Sequence, residues 1–218
     1  MIISKGRRYV FVHIPKTGGT SLTLALEGRA KRDDILISDT PKARRRKHRL
    51  AAYQTAGRLW KHSTLADIDG LLGPDDLTQM FTFTMVRNPW DRAVSYFHWL
   101  RAQDFEHPAV YLARSLTFAD FLRHDTVRLG FQKTPAARYM RDADGNECAD
   151  LYIRLEHFRQ DVAPLEAHLG FRIDLPHVNA SARTKDYRAH YDDSLAEIIA
   201  TCCAEDISRF GYRFEAAK

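Results

Sequence analysis

One feature constrains this chain most: a short apolar run that breaks into a pair of glycines. Tyr9-Val-Phe-Val-His-Ile14 is β-branched and aromatic, which predicts a buried strand. Pro15-Lys-Thr-Gly-Gly-Thr-Ser21 follows directly. Leu22-Thr-Leu-Ala-Leu26 then reads as helix, with Gly28 as its stop. Unpaired N–H groups and the positive dipole end at the start of such a helix attract an anion. Gly18 and Gly19 let the backbone approach a ligand closely. Lys16 adds a mobile positive charge, and Thr17, Thr20 and Ser21 add hydroxyls. This is the chemistry of a phosphate cradle. Its order differs from the Gly-x-x-x-x-Gly-Lys-Ser/Thr loop of ATPases and GTPases, because lysine here precedes the glycines. The alternative is a tight strand-to-helix turn with no ligand.

A second motif sits at the end of another apolar run. Met80-Phe-Thr-Phe-Thr-Met-Val86 reads as a buried strand and ends in Arg87-Asn-Pro-Trp-Asp-Arg92. In magnesium-dependent phosphate-binding enzymes a strand of this kind ends in an acid that helps hold the metal. A guanidinium cannot ligate a cation, but it binds a phosphate through two hydrogen bonds. Pro89 suits the first turn of a helix running to about Arg101, and Ser95 lies about two turns along it. The motif implies an anion site with no metal. Its alternative is an ordinary ion pair between Arg87 and Asp91 at a helix start.

The remaining pattern is one of strands alternating with helices. Ile35–Ile37 and Leu151–Ile153 read as strands. Leu65–Leu72, Phe158–Leu169 and Ser194–Phe210 read as helices, closed by Gly73, Gly170 and Gly211, and Thr117 opens a helix through Leu122. The expected fold is α/β: a phosphate-binding-loop nucleotide-binding fold with a central, mostly parallel sheet flanked by helices. At 218 residues the chain is expected to form a single domain over 1–218.

Charge is concentrated rather than spread. Lysine and arginine number 33 against 28 acids, and six of them fall in Lys42-Ala-Arg-Arg-Arg-Lys-His-Arg49, so the rest of the chain has a balance of −1. Such a run suits a polyanion, and a solvated face is its alternative. No aromatic residues interleave it, so no specific nucleic-acid partner is expected. The three cysteines, Cys148, Cys202 and Cys203, do not make a disulfide scaffold. No apolar stretch approaches the roughly 20 residues of a spanning helix. A cytoplasmic protein is therefore expected, with peripheral membrane contact left open. The oligomeric state stays open as well.

Together, Phe11-Val-His-Ile-Pro-Lys-Thr-Gly-Gly-Thr-Ser-Leu22 and Val86-Arg-Asn-Pro-Trp-Asp-Arg-Ala-Val-Ser-Tyr96 resemble the paired cofactor loops of sulfotransferases that use 3′-phosphoadenosine 5′-phosphosulfate (PAPS). The carbohydrate branch, with its heparan 2-O- and chondroitin-type enzymes and bacterial relatives, is the most similar. Arg154-Leu-Glu156, His177-Val-Asn-Ala-Ser181 and Asp206-Ile-Ser-Arg-Phe-Gly-Tyr212 extend the resemblance over most of the chain. The Golgi members carry a membrane anchor, for which no counterpart is expected here. The resemblance implies sulfuryl transfer from PAPS to a hydroxyl, with PAP as product and no metal. By it, Lys16, Thr17, Gly18, Gly19, Thr20 and Ser21 hold the 5′-phosphosulfate, and Arg87 and Ser95 hold the 3′-phosphate. Arg183 and Lys185, in the polar segment Asn179–Arg188, are expected to close on the same phosphate.

Such a transfer needs a base for the acceptor proton and a cation for the leaving phosphate. Lys16 suits the second task. His62, in Lys61-His-Ser-Thr64, is the expected base. It lies between the two motifs, where the branch similarly carries a His-Ser/Thr segment. Glu156 is the fallback, and His13, inside the first strand, reads as structural. The partner is a hydroxyl-bearing acceptor, a glycan and an acidic one if the basic run steers it. Trp60, Tyr96, Phe97 and Trp99 either line an acceptor cleft or pack in the core. The competing readings are a kinase, against which Arg87 and the early lysine argue, and a non-catalytic anion binder built on residues 42–49.

Overall fold

Two neighbouring strands, each buried on both faces, organise the first part of the molecule. In a computed structural model that describes residues 1–176 and 186–214, β1 (Ile2–Ser4), β2 (Tyr9–Val12), β3 (Ile35–Leu36), β4 (Phe81–Val86) and β5 (Leu151–Arg154) form one sheet in the order β3-β1-β2-β4-β5. β2 runs parallel to β4, with Val12 beside Thr84, and β4 runs parallel to β5, with Val86 beside Arg154. β1 is antiparallel to both of its neighbours. The sheet is thus mixed, with strands β2, β4 and β5 parallel, and helices pack on it. Val10, Phe11, Val12, Phe83, Met85 and Ile153 are fully buried. Continuous apolar runs of this kind are what parallel strands covered on both faces require.

The chain divides into two compact units. Among the described residues, the first takes 1–86 and 136–176 and carries the sheet. Its helix α1 (Gly19–Gly28) lays Leu22 and Leu26, one turn apart, into a core with Phe11, Phe83 and Leu165. The second takes 87–135 and 186–214 and is helical. Its longest helix, Pro89–Arg101, starts where Asn88 accepts from the amides of Trp90 and Asp91 and where Pro89 fills the first turn. Trp90, Phe97, Phe121 and Ile199 lie in its core, and the Trp90 indole N–H donates to the carbonyl of Ala196 at 2.9 Å.

Several elements differ from the sequence reading. β2 ends at Val12, so His13 and Ile14 lead into the glycine turn instead of belonging to the strand. β1 and the 3₁₀ turn Lys5–Arg7 precede it, with Arg8 left-handed at φ 51°. Leu65–Leu72 is not a helix: only Ala66–Ile68 makes a 3₁₀ turn. The Leu65 and Ala66 amides donate to the carbonyls of Tyr139 and Arg141, and Gly70 turns left-handed at φ 90°. Gly73 caps the next helix, Pro74–Thr78. The expected helix 158–169 breaks at Val162 into Phe158–Asp161 and Ala163–Leu169. Pro164 has no N–H to continue the first piece. The last helix breaks at Cys203 into Asp193–Cys202 and Ala204–Phe210.

Candidate active site

The turn after β2 is tight because two successive demands on backbone shape meet there. Lys16 has φ 66° and Gly18 φ 85°, both left-handed, and α1 starts at Gly19 with Gly18 as its cap residue. A left-handed lysine costs about 1–2 kcal/mol relative to the ordinary helical region, and strain of this kind gathers at functional sites. The Thr17 hydroxyl is buried and donates to the Ile14 carbonyl at 2.8 Å, tying the turn together. The Thr23 hydroxyl donates to the Gly19 carbonyl at 2.8 Å. Thr20 is exposed, and Lys16, Gly18 and Ser21 are half-buried. The turn therefore presents a lysine and a helix start beside solvent, on a braced backbone.

Gly19 owes its identity to His13. A Cβ on Gly19 would lie 2.1 Å from His13 Cδ2 and 2.5 Å from Nε2. The His13 ring fills the space against the loop backbone and is only 6% exposed. Burial, and then the adjacent His62, hold the His13 imidazole well below its usual pKa, so it stays neutral. Its place in the fold is structural, as the sequence implied.

His62 sits on this assembly. Its Nδ1 lies 2.7 Å from the His13 carbonyl oxygen, and the two rings meet at 4.7 Å between centroids. A carbonyl only accepts, so Nδ1 carries the proton and donates. In the neutral ring Nε2 then holds the lone pair. Burial lowers the His62 pKa to about 4, although the bond to His13 works the other way. At neutral pH His62 is thus an unprotonated imidazole with one nitrogen anchored and a lone pair on the other. Trp60, Lys61, His62 and Ser63 form a β-turn closed by the Ser63 amide on the Trp60 carbonyl at 3.0 Å. Glu156, the fallback base, is exposed and follows Leu155, whose side chain packs on Gly18.

In the second unit, the Arg87 guanidinium donates through Nε and Nη2 to Asp91 Oδ2, at 2.8 and 2.6 Å. The ion pair read as an alternative in the sequence is therefore present. Both partners are largely buried, with side chains 13% and 18% exposed, and the pair fixes the plane of the guanidinium. Ser95 is buried one turn beyond Asp91 on the same helix face. Arg183 and Lys185 lie outside the described residues. Of the aromatics, Phe97 is core, whereas Trp60 is 46% exposed.

The basic run forms α2 (Pro41–Arg46) and the 3₁₀ turns Lys47–Ala52. Thr40 caps α2, and its hydroxyl donates to the buried Glu27. Arg46 donates to the carbonyls of Lys31 and Asp34, and Arg49 to that of Arg32. These bonds seat the run against a second basic segment, Arg29–Arg32, which the sequence reading did not connect with it. Arg44, Arg45 and Lys47 are exposed, and among the described residues no carboxylate pairs with them. Among the described residues, too, no three His, Cys, Asp or Glu cluster as a metal site would need, and no helix is long and apolar enough to cross a membrane.

A strand, a lysine-led glycine turn and a helix start, with a neutral histidine anchored beside them, describe an enzyme that handles an anionic group. The family model described as "Sulfotransferase family" matches residues 1–214, and the chain belongs to the sulfotransferase family. No curated protein matches it. Among solved structures it is similar to mouse sulfotransferase SULT7A1 complexed with PAP, at 17% identity and a TM-score of 0.36, over 92% of this chain and 66% of that one. The chain thus spans less than two thirds of that protein's length.

Proposed function

We propose that this protein transfers a sulfuryl group from PAPS to a hydroxyl of a carbohydrate and releases PAP. The observation that carries the reading is the strained Lys16 turn into α1 in a chain of the sulfotransferase family. The donor set fits the donor substrate: an ammonium, glycine amides at a helix start and hydroxyls are ligands for a phosphosulfate. Both units are read as one functional domain, because the family match runs through both.

In this account His62 Nε2 takes the acceptor's proton as the acceptor oxygen forms its bond to sulfur. The bond from sulfur to the bridging oxygen breaks in line, and that oxygen leaves on PAP with the electron pair. Lys16 meets the charge developing there, and the amides and hydroxyls of Gly18–Ser21 hold the 5′-phosphate. Arg87 and Ser95 hold the 3′-phosphate, together with Arg183 and Lys185. No step draws on a metal, because lysine and arginine supply the positive charge. PAP is expected to raise the melting temperature, and ATP with magnesium to raise it far less. Equal or stronger stabilisation by magnesium ATP would favour a kinase instead.

The base has its own test. His62→Gln should lower kcat by about 10²–10⁴, the usual worth of a positioned base. Glu156→Gln should stay within about threefold of wild type, as expected of a residue outside the chemistry. Since His62 must be unprotonated to work, kcat/KM should fall only as pH drops through its lowered pKa of about 4, not through the ordinary histidine value near 6.5. A profile whose acid limb stays near 6.5 and survives His62→Gln would assign the base elsewhere.

The acceptor is read as acidic, on the strength of the exposed cations of α2 seated against Arg29–Arg32. Reversing Arg44 and Arg45 to Glu should raise KM for an anionic oligosaccharide by about tenfold at low salt and leave a neutral one unchanged. Equal effects on both would show that the patch does not select acceptors.

A further inference from the structure

The ring of His62 has two aromatic neighbours of opposite character. His13, at 4.7 Å, is buried under the glycine turn. Trp60, at 5.0 Å and 87° to the His62 plane, is 46% exposed. One neighbour fixes His62 to the loop, and the other borders it on the solvent side. Isolated exposed apolar residues are common and need no explanation by themselves. Trp60 differs because of what holds it.

The Trp60 amide donates to Ser63 Oγ at 2.9 Å, and the Ser63 amide returns a bond to the Trp60 carbonyl at 3.0 Å. The fully buried Ser63 hydroxyl also reaches the Arg58 and Trp60 carbonyls, both at 2.9 Å. Next along the chain, the Thr64 amide donates to Asp67 Oδ2 at 2.7 Å, and the Gly57 amide to the Asp67 carbonyl at 3.0 Å. Lys61 is held by Asp39 at 2.6 Å. The turn is therefore locked from both sides. It carries an exposed indole and a basic imidazole two residues apart, in fixed relation.

We propose that Trp60 is the platform on which the acceptor sugar ring lies, so that its hydroxyl faces His62. This rests on the sulfuryl-transfer reading above. The class of acceptor follows from the platform's shape. A pyranose has one apolar C–H face and a polar rim. It needs one exposed aromatic face among polar groups, which Trp60 offers in a segment that also carries Arg58, Lys61 and His62. A planar phenol gains most from rings on both of its faces, whereas the one ring contact of Trp60 among the described residues is edge-on with His62. An indole also presents a large, rigid surface at low entropic cost.

The test compares Trp60→Ala and Trp60→Phe with wild type on two probes, an unsulfated glucuronate–hexosamine hexasaccharide and 4-nitrophenol, with PAPS as donor. Trp60→Ala should raise KM for the hexasaccharide by about tenfold, the worth of covering part of an indole ring. Trp60→Phe should restore it to within about threefold, because a flat aromatic surface remains. PAP affinity should be the same in all three proteins, and kcat should change less than KM. Hexasaccharide should quench more fluorescence in wild type than in Trp60→Phe, which keeps the other two tryptophans. An unchanged hexasaccharide KM in Trp60→Ala, or a loss confined to 4-nitrophenol, would overturn the platform while leaving the transfer reaction standing. Equal weakening of PAP binding would show a merely structural role and overturn it too. Absence of transfer from PAPS to either probe in wild type, combined with no binding of PAP, would remove the underlying reading and the platform with it.

Discussion

Replacing Lys16 by glycine is expected to abolish transfer from PAPS while leaving the fold about as stable as before. Lys16 is one of only two non-glycine residues with positive φ among those described. Glycine adopts that shape without steric cost, which recovers about 1 kcal/mol or more of strain. It also adds freedom to the unfolded chain, which costs about 0.4–1 kcal/mol. The two nearly offset, so the urea midpoint should move little. Catalysis has no such offset. In the proposed mechanism Lys16 meets the charge that develops on the leaving oxygen, and its removal should cost at least about 10²–10³ in kcat. The pair of results separates function from folding: a left-handed lysine is retained for its ammonium, not for the turn. Activity within about tenfold of wild type in Lys16→Gly would place the critical cation elsewhere.

Gly19→Ala should do the opposite and damage both fold and activity. The new methyl would sit 2.1 Å from a ring atom of buried His13. Neither the ring nor the start of α1 has room to yield without moving. Overpacking of a filled site costs about 1–3 kcal/mol, occasionally more. Displacing His13 also disturbs the carbonyl that anchors His62 Nδ1, so activity should fall further than stability alone explains. Gly28→Ala is the matched control, since a Cβ there meets nothing within 4 Å. Its midpoint should match or slightly exceed that of wild type. Equal midpoints for Gly19→Ala and Gly28→Ala, read by urea denaturation, would mean that the His13 contact does not set the residue at position 19.

Much of this was legible in the amino acids, and the limits have physical causes. The strands at β2 and β4 and the helix Pro89–Arg101 announce themselves, because apolar runs, Pro89 and Asn88 are local signals. The glycine turn was legible for the same reason. β1 was missed because three residues, Ile2–Ser4, are too few to show a pattern and gain strand character only from pairing with β2 and β3. Leu65–Leu72 looked helical from its apolar content, but the backbone turns extended at Asp69 (ψ 134°) and left-handed at Gly70 (φ 90°), and Asp69 bridges to Leu72, so no helix continues past Ile68. The sequence ascribed Gly19 to close approach of a ligand; that a Cβ there would strike the ring of His13, six residues earlier, no local pattern shows. Likewise the sequence offered His62 as a base by its residue type, its place between the two motifs and the family resemblance. The anchored Nδ1 and the free lone pair of Nε2 depend on a contact across 49 residues of chain, and the exposure of Trp60 at its side on how the turn is packed. Trp60, Tyr96, Phe97 and Trp99 were alike in sequence, and only burial separates Phe97 in the helical core from Trp60 at the surface.

In the mechanism proposed above, the lysine-led turn serves transfer of a sulfuryl group from PAPS, with cationic side chains doing the work of a metal. The most direct measurement follows label from PAPS carrying an isotopically marked sulfuryl group into an unsulfated oligosaccharide, in the presence of excess chelator, for wild type and Lys16→Gly side by side. The expected result is labelled product and stoichiometric PAP from wild type, and neither from the variant. Turnover that stops on chelation, or that proceeds equally without Lys16, would contradict it.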